Sequence, residues 1–217
     1  VALEEEGNVD EALALYQQIQ QRSPGYRDIT TRIERIQRKE NAASIFQEAE
    51  ALFEAGQWTE AIQRYRSVQE LGAAYQRERI TERLFSCYMN YGRDLVSARP
   101  ATPEQMQDAV MAFAEALRLR PREPSATAER DLVQTYLAAL ALYDEQHWLE
   151  AIPVLRRVYD QRPDYLGGLV AEQLYHAYMV LGDALTQEGK WGDAFQYYLQ
   201  ASRLGLVDTS EAERKMA

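Results

Sequence analysis

The stretch that decides the fold is Trp58-Thr59-Glu60-Ala61-Ile62, which returns 90 residues later as Trp148-Leu149-Glu150-Ala151-Ile152. The same offset pairs further residues without a gap: Leu52 with Leu142, Tyr75 with Tyr165, Leu84 with Leu174, Tyr88 with Tyr178, and Gly92 with Gly182. Self-similarity at a fixed offset is typical of proteins built from stacked repeats. Because such proteins usually present extended binding surfaces, the offset predicts a repeat array with a binding role.

An acidic residue followed by alanine marks one helix in each repeat, at Glu11-Ala12, Glu60-Ala61, Asp108-Ala109, Glu150-Ala151 and Asp193-Ala194. Four residues after each alanine stands a large apolar or aromatic residue, and another apolar residue follows three positions later. This spacing forms one stripe of an amphipathic helix. The small alanine allows close approach of a neighbouring helix. Glu11, Glu60 and Glu150 are predicted to begin helices, where a negative charge complements the helix dipole.

A longer helix is predicted before four of these helices, over residues 26–55 with a break near Asn41, 73–98, 125–146 and 166–188. The tight turns between the two helices of a pair are marked by Gly56, Gln146-His147 and Gly189. A tryptophan follows each of these turns, at Trp58, Trp148 and Trp191. We expect each of these tryptophans to hold the two helices of its pair together. The pattern therefore predicts helix–turn–helix pairs stacked side by side.

The last full pair carries a recognisable signature, at Tyr178, Leu181, Gly182, Leu185, Gly189, Trp191, Ala194, Tyr198 and Ala201. At this spacing the chain resembles the tetratricopeptide repeat (TPR) family. The resemblance implies an all-α fold, an α-α superhelix of stacked antiparallel helix pairs in one array over residues 1–217. The approximate units are 1–25, 26–72, 73–121, 122–163 and 164–206, with the start of a further helix at 208–217. We also expect a bacterial protein and, because both ends cut through a unit, a fragment of a longer chain.

The repeat period is longer than is usual in this family. Successive alanines of the acidic-alanine pairs are 49, 48, 42 and 43 residues apart, whereas ordinary units run about 34 residues. We therefore expect extended first helices, or an extra helix, to absorb the difference.

The composition narrows the classes of partner. A formal net charge of -10 argues against nucleic acid, because binding to nucleic acid depends on cationic groups that neutralise phosphates. No apolar run is long enough to insert this segment into a membrane. The single cysteine, Cys87, excludes a disulfide within the chain and suits a reducing compartment such as the cytoplasm. Exported helical repeats also lack disulfides, so the compartment stays open.

No pattern of catalytic or metal-binding residues stands out. His147, His176 and Cys87 do not form a metal-ligand spacing, and no phosphate-binding glycine loop occurs. The recurring glutamates are explained by their positions at helix starts. We therefore predict a protein that is not an enzyme, with no metal and no cofactor.

In TPR arrays the first helix of each pair lines the concave face, where peptides bind. By this resemblance the candidate peptide-binding residues are Phe46, Phe53, Met89, Arg93, Tyr136, Leu140, Tyr143, His176, Met179 and Asp183. Glu50, Ser86 and Thr186 share the same register. Aromatic residues and methionine suit a peptide groove. The alternative is that the lengthened helices bury these residues against each other.

Two functions follow from the resemblance. The first is a non-catalytic scaffold that binds a peptide or a partner protein through the concave face. The second is self-association, with the chain as a possible homo-oligomer, or a regulatory arm of a multidomain protein that is signalling or membrane-anchored. The ring of Lys, Asn and Arg with which some TPR domains hold a chaperone tail is not reproduced, because Phe46, Glu50, Met89 and Asn90 stand at matching positions.

Overall fold

The computed structural model of the protein describes residues 8–26, 28–72, 74–98 and 101–217, and within these ranges the chain is α-helical without a β-strand. The helices are α1 (Val9–Arg22), α2 (Ile29–Glu54), α3 (Trp58–Leu71), α4 (Arg77–Ser97), α5 (Pro103–Leu119), α6 (Pro124–Asp144), α7 (Trp148–Gln161), α8 (Leu169–Gln187), α9 (Trp191–Ser202) and α10 (Ser210–Met216). A short 3-10 turn, Tyr165–Gly168, precedes α8. The all-α class predicted from the repeats is confirmed. Residues 1–7, where the first predicted unit begins, lie outside the described residues.

The chain forms two compact units, Val1–Asn90 and Tyr91–Ala217. In the first unit α2 packs against both α1 and α3. In the second unit each helix from α5 to α10 packs against the next one along the chain. The division of residues 1–217 into about five units of a single array stays a prediction.

The first long helix, α2, is continuous, so the predicted break near Asn41 is wrong. Its buried stripe runs through the position of the expected break, at Ile29, Ile33, Ile36, Ala42, Phe46 and Ala49. The first three of these residues pack with Ala12 and Tyr16 of α1. Asn41 itself is exposed, where an asparagine costs a helix only about half a kcal/mol relative to alanine. Packing along both halves of the helix outweighs that local cost.

The second helix of each pair presents the predicted stripe to the core. Ala61, Tyr65 and Val68 of α3 are fully buried, as are Ala151 and Leu155 of α7. The acidic residue before the alanine lies in the first turn of its helix at Glu11, Glu60, Glu150 and Asp193. Asp108 is the exception, because α5 begins at Pro103 and its first-turn acidic residue is Glu104. The sequence therefore placed these helices correctly.

Glycine permits close approach between neighbouring helices in the second unit. A Cβ added to Gly182 of α8 would lie 2.5 Å from a ring carbon of Tyr198 on α9. The same modification of Gly92 on α4 would meet Phe113 of α5 at 2.7 Å. Since real Cβ atoms do not approach this closely, the aromatic ring occupies the space that a side chain would need.

Candidate functional site

Two edge-to-face aromatic pairs close the turns of the pairs α2–α3 and α6–α7. The ring centroids of Phe53 and Trp58 are 5.5 Å apart at 74°, and those of Tyr143 and Trp148 are 5.0 Å apart at 80°. Such contacts add to the stabilisation that burial alone provides. Trp58 and Trp148 therefore hold their two helices together, as expected.

Trp191 does not follow this rule, and the expectation for it is wrong. Its side chain is 67% exposed. The residue five positions before each tryptophan supplies the partner ring in the other two pairs, but here it is Thr186. Without an aromatic partner at that position, the indole ring of Trp191 remains in solvent.

A second aromatic contact lies where the next first helix begins. Phe46 of α2 meets Tyr75 with ring centroids 5.9 Å apart, and Tyr136 of α6 meets Tyr165 at 5.7 Å. Tyr75 and Tyr165 stand just before α4 and α8, and the 90-residue offset pairs them. The residues just before α4 and α8 therefore cover part of α2 and α6, the first helices of the preceding pairs.

Burial corrects four of the ten candidate positions. Phe46, Met89, Tyr136 and Met179 are buried, with exposed fractions of 7%, 3%, 1% and 7%. The first helices are long, with 26 residues in α2 and 21 in α6. The ring of Phe46 packs against Tyr65 and Tyr75, and that of Tyr136 against Tyr165. These four side chains belong to the core and cannot contact a partner directly.

Glu50 of α2 is the centre of a hydrogen-bonded cluster in the first unit. Its carboxylate accepts hydrogen bonds from Tyr65 Oη at 2.5 Å and from Arg83 Nε and Nη2 at 3.0 Å each, and Arg79 donates another. The side chain of Glu50 is only 18% exposed. Burial opposes its ionisation, but the hydrogen bonds from Arg83, Tyr65 and Arg79 prevail and hold the pKa of Glu50 below its ordinary value. The cluster links α2, α3 and α4.

Asp183 of α8 is held in the same way in the second unit. Its carboxylate accepts a hydrogen bond from Tyr198 Oη at 2.7 Å and two from Lys215 Nζ at 2.5 and 2.8 Å. Burial opposes its ionisation, and the bonds from Lys215 and Tyr198 lower the pKa of Asp183 nevertheless. This candidate therefore links α8, α9 and α10 through its hydrogen bonds.

The spacing of residues along the sequence carries a signal for these two clusters. In both, the tyrosine stands 15 residues after the acidic residue. The cation follows the acidic residue after 33 residues in the first unit and after 32 in the second. An acidic residue at this distance before the tyrosine of the second-helix stripe would have predicted both contacts.

The sequence-predicted residues Tyr143 and His176 meet in the second unit, together with Trp148. Tyr143 Oη and His176 Nδ1 lie 2.9 Å apart. The Trp148 ring is edge-on to the His176 ring at 5.4 Å, and the Tyr143 and His176 rings are 5.8 Å apart. His176 is exposed, and Tyr143 and Trp148 are partly exposed. We call Tyr143, Trp148 and His176 the aromatic cluster.

Three further candidates lie outside the aromatic cluster. The ring of Phe53 is covered by the guanidinium group of Arg83, whose central carbon is 4.2 Å from the ring centroid. Leu140 is partly buried on α6, one turn before Tyr143. The side chain of Arg93 is 48% exposed and lies 3.6 Å from the Glu129 carboxylate. Of these three, only Arg93 is an exposed residue.

Within the described ranges, no group of three or more His, Cys, Asp or Glu residues could hold a metal ion. Cys87 is fully buried, and burial raises the pKa of its thiol to about 12. None of the described helices is long and apolar enough to cross a lipid bilayer.

Comparison with known proteins agrees with this architecture. Residues 1–26 and 43–71 match the family model of the tetratricopeptide repeat. No curated protein matches the chain significantly. The matches and the stacked helix pairs together support a tetratricopeptide-repeat protein. Such repeats generally mediate protein–protein interactions, and the family is typically non-catalytic.

The boundaries of the match are informative about the period. The second match begins at residue 43, inside α2, and runs to the end of α3. The N-terminal part of α2 therefore lies outside the matched unit. This part is the extension that makes the repeat longer than usual, and the alternative of an extra helix does not apply to this pair.

Proposed function

We propose that this protein is a non-catalytic scaffold that binds a peptide or a partner protein through the face of its first helices, the concave face in TPR arrays. The aromatic cluster is the observation that carries the proposal. Its three rings lie on α6, α7 and α8 and stay accessible although neighbouring first-helix positions are buried. Accessible aromatic side chains held in place by their neighbours are typical anchors of protein interfaces.

The candidates that remain accessible extend this surface. Leu140 adds apolar area one turn before Tyr143 on α6. Asp183 lies two turns after His176 on α8, and its side chain is 45% exposed. A partner bound along α6 and α8 would therefore contact the aromatic cluster and Leu140, with the carboxylate of Asp183 beside them.

A display library of short peptides tests the proposal. The full chain is used to select peptides, and their binding is then measured for His176→Ala and Tyr143→Ala by fluorescence polarisation. Loss of an interface anchor typically costs about 1–2 kcal/mol, so we expect each variant to bind roughly 5- to 30-fold more weakly.

Leu149→Ala is the matched control. Leu149 is apolar and 66% exposed, but it lies on the second helix α7. We expect it to leave peptide affinity unchanged. Peptides that lose affinity equally with all three variants, or only with Leu149→Ala, would show that the first-helix face is not the binding surface.

A specific observation favours self-association as the second candidate function. On α9, Trp191 is 67% exposed and Phe195, one turn later, is 42% exposed. Two neighbouring aromatic side chains in solvent are characteristic of an interaction site. A homo-oligomer, or a regulatory arm of a multidomain protein, would use this face of α9.

Light scattering distinguishes the two functions. Self-association predicts a molecular mass that rises with protein concentration for the wild type and stays at 25.0 kDa for Trp191→Glu. A wild-type chain that remains at the monomer mass at the highest soluble concentration would eliminate this candidate.

A further inference from the structure

The 90-residue offset places the same side-chain arrangement in both units, but only the first unit completes it. In the first unit the members are Phe53, Trp58, Glu54 and Arg83, and in the second they are Tyr143, Trp148, Asp144 and Gln173. The aromatic residue, the tryptophan and the exposed carboxylate recur, whereas Glu50, which accepts hydrogen bonds from Arg83, is replaced by Leu140. The cation does not recur either.

In the first unit the cation binds both the ring and the carboxylates. The guanidinium carbon of Arg83 lies 4.2 Å from the centroid of the Phe53 ring, and its Nη2 lies 3.6 Å from Glu54 Oε1. A guanidinium over an aromatic face combines an attraction to the ring with hydrogen bonds at its edge. Glu50 also accepts hydrogen bonds from Arg83 Nε and Nη2, at 3.0 Å each. Phe53, Glu54 and Glu50 thus form an arginine site that the chain fills itself.

In the second unit the residue at the position of Arg83 is Gln173, which is not a cation. Gln173 is only 8% exposed, so its side chain lies in the core. Among the residues that the structure describes, no cation lies over the ring of Tyr143 or Trp148. Asp144, at the position of Glu54, is exposed and has no ion-pair partner within the described ranges.

The charge around the aromatic cluster also favours a cation. Glu172 is exposed on α8, one turn before His176. Burial raises the pKa of the Tyr143 hydroxyl, and the negative charge of the neighbouring Asp144 raises it further. The whole chain has a formal net charge of -10. Rings flanked by unpaired carboxylates are complementary to a cationic side chain.

We infer that the aromatic cluster and Asp144 form a docking site for an arginine side chain of a partner protein. The inference rests on the proposed function, since it specifies what the same first-helix surface binds. Arginine is favoured over lysine because Arg83 of the first unit shows the geometry that this arrangement accepts, a planar guanidinium over the ring with its N–H groups toward a carboxylate.

The indole N–H resonances of the full chain provide the test, with N-acetylarginine amide as the probe and N-acetylcitrulline amide as its neutral isostere. We expect the arginine probe to shift the Trp148 resonance in a saturable way and the citrulline probe to leave it unchanged. Trp58 should not respond, because Arg83 already holds that site. Trp191 controls for non-specific stacking, since it is the more exposed indole.

Reciprocal substitutions locate the effect. Asp144→Asn should weaken binding of the arginine probe about two- to fivefold, the usual range for an exposed ion pair. Glu54→Gln is its matched control in the first unit and should leave the Trp148 response intact. Gln173→Arg should supply the missing cation from within the chain and abolish the response.

Specific outcomes would overturn the inference. Equal shifts with arginine and citrulline, a larger shift at Trp191 than at Trp148, or an unchanged affinity in Asp144→Asn would each do so. Because Gln173 is buried, the Gln173→Arg result counts only if circular dichroism shows that the variant has a native fold. If it does not, the result for Asp144→Asn decides the test.

The inference and the proposed function fail separately. If the selected peptides bind His176→Ala more weakly but arginine does not shift the Trp148 resonance, the inference is rejected and the proposed function is retained. If arginine shifts the Trp148 resonance but the peptides bind His176→Ala as tightly as the wild type, the proposed function is rejected and the cation site is retained.

Discussion

Replacement of Glu50 by glutamine tests whether the hydrogen-bonded cluster of the first unit stabilises the fold. The substitution keeps the shape of the side chain and removes its charge. Tyr65, Arg79 and Arg83 all donate to this carboxylate, so the variant weakens several contacts between α2, α3 and α4 at once.

The magnitude follows from the burial of the partners. A hydrogen bond to a charged group contributes about 1.5–3 kcal/mol when it is shielded from water. Here the side chain of Arg79 is 52% exposed and that of Arg83 is 28% exposed, so solvent screens much of the interaction. Glutamine also keeps one acceptor oxygen. We therefore expect Glu50→Gln to lower the free energy of unfolding by about 1–2 kcal/mol near neutral pH.

The effect should depend on pH in a defined direction. The pKa of Glu50 in the folded protein is below its ordinary value of 4.5. Its contribution to stability is therefore complete above the unfolded-state pKa and is lost as the pH falls through the folded-state pKa. The difference between wild type and Glu50→Gln should be constant above about pH 5 and shrink below about pH 4.

Urea denaturation followed by circular dichroism measures this difference at each pH. Glu54→Gln is the matched control, because the Glu54 side chain is 72% exposed and lies 3.6 Å from Arg83. It should cost less than about 0.5 kcal/mol. The reasoning is refuted if both variants have the same small effect at neutral pH, or if the loss in Glu50→Gln persists in acid.

Three other predictions concern packing, backbone and thiol chemistry. Gly182→Ala should lower the free energy of unfolding by about 1–3 kcal/mol, because its Cβ meets the Tyr198 ring, whereas Gly192→Ala, with open space around its Cβ, should not lower it in the same urea titration. Gln146→Gly should raise the free energy of unfolding by roughly 1 kcal/mol, since Gln146 has a positive φ of 61° where Gly56 has 72°, and thermal denaturation checks the sign. Cys87 should react with a thiol reagent only as fast as the protein unfolds, because it is fully buried and its pKa is raised to about 12, and a fast reaction in the native state would contradict its burial.

The pattern of side chains predicted the helices well because it is local. The acidic-alanine pairs and the large apolar or aromatic residue four positions later describe one face of one helix, and Ala61 and Tyr65 are fully buried as that face requires. The 90-residue offset was equally reliable. It paired Tyr75 with Tyr165 before any contact was known, and the two tyrosines pack on equivalent residues.

The candidate site was predicted less well, because accessibility depends on neighbours that are distant in sequence. Phe46 and Tyr136 stand at groove positions of an ordinary repeat, yet the approach to the next first helix buries both. Asp183 was predicted on the binding face, but its hydrogen bonds with Tyr198 and Lys215 were not. Register along a helix assigns a residue to a face, but it does not say what covers that face.

The sequence by itself determined the helical pairs, their turns and the family, since these depend on spacing within a few turns of helix and on repetition. Tertiary structure alone decided which first-helix residues stay in solvent. Trp58, Trp148 and Trp191 occupy equivalent positions, but Trp191 is exposed because Thr186 offers it no ring. Burial is a property of the whole packed assembly, so one substitution in a neighbouring helix turns the same residue from a structural contact into an accessible one.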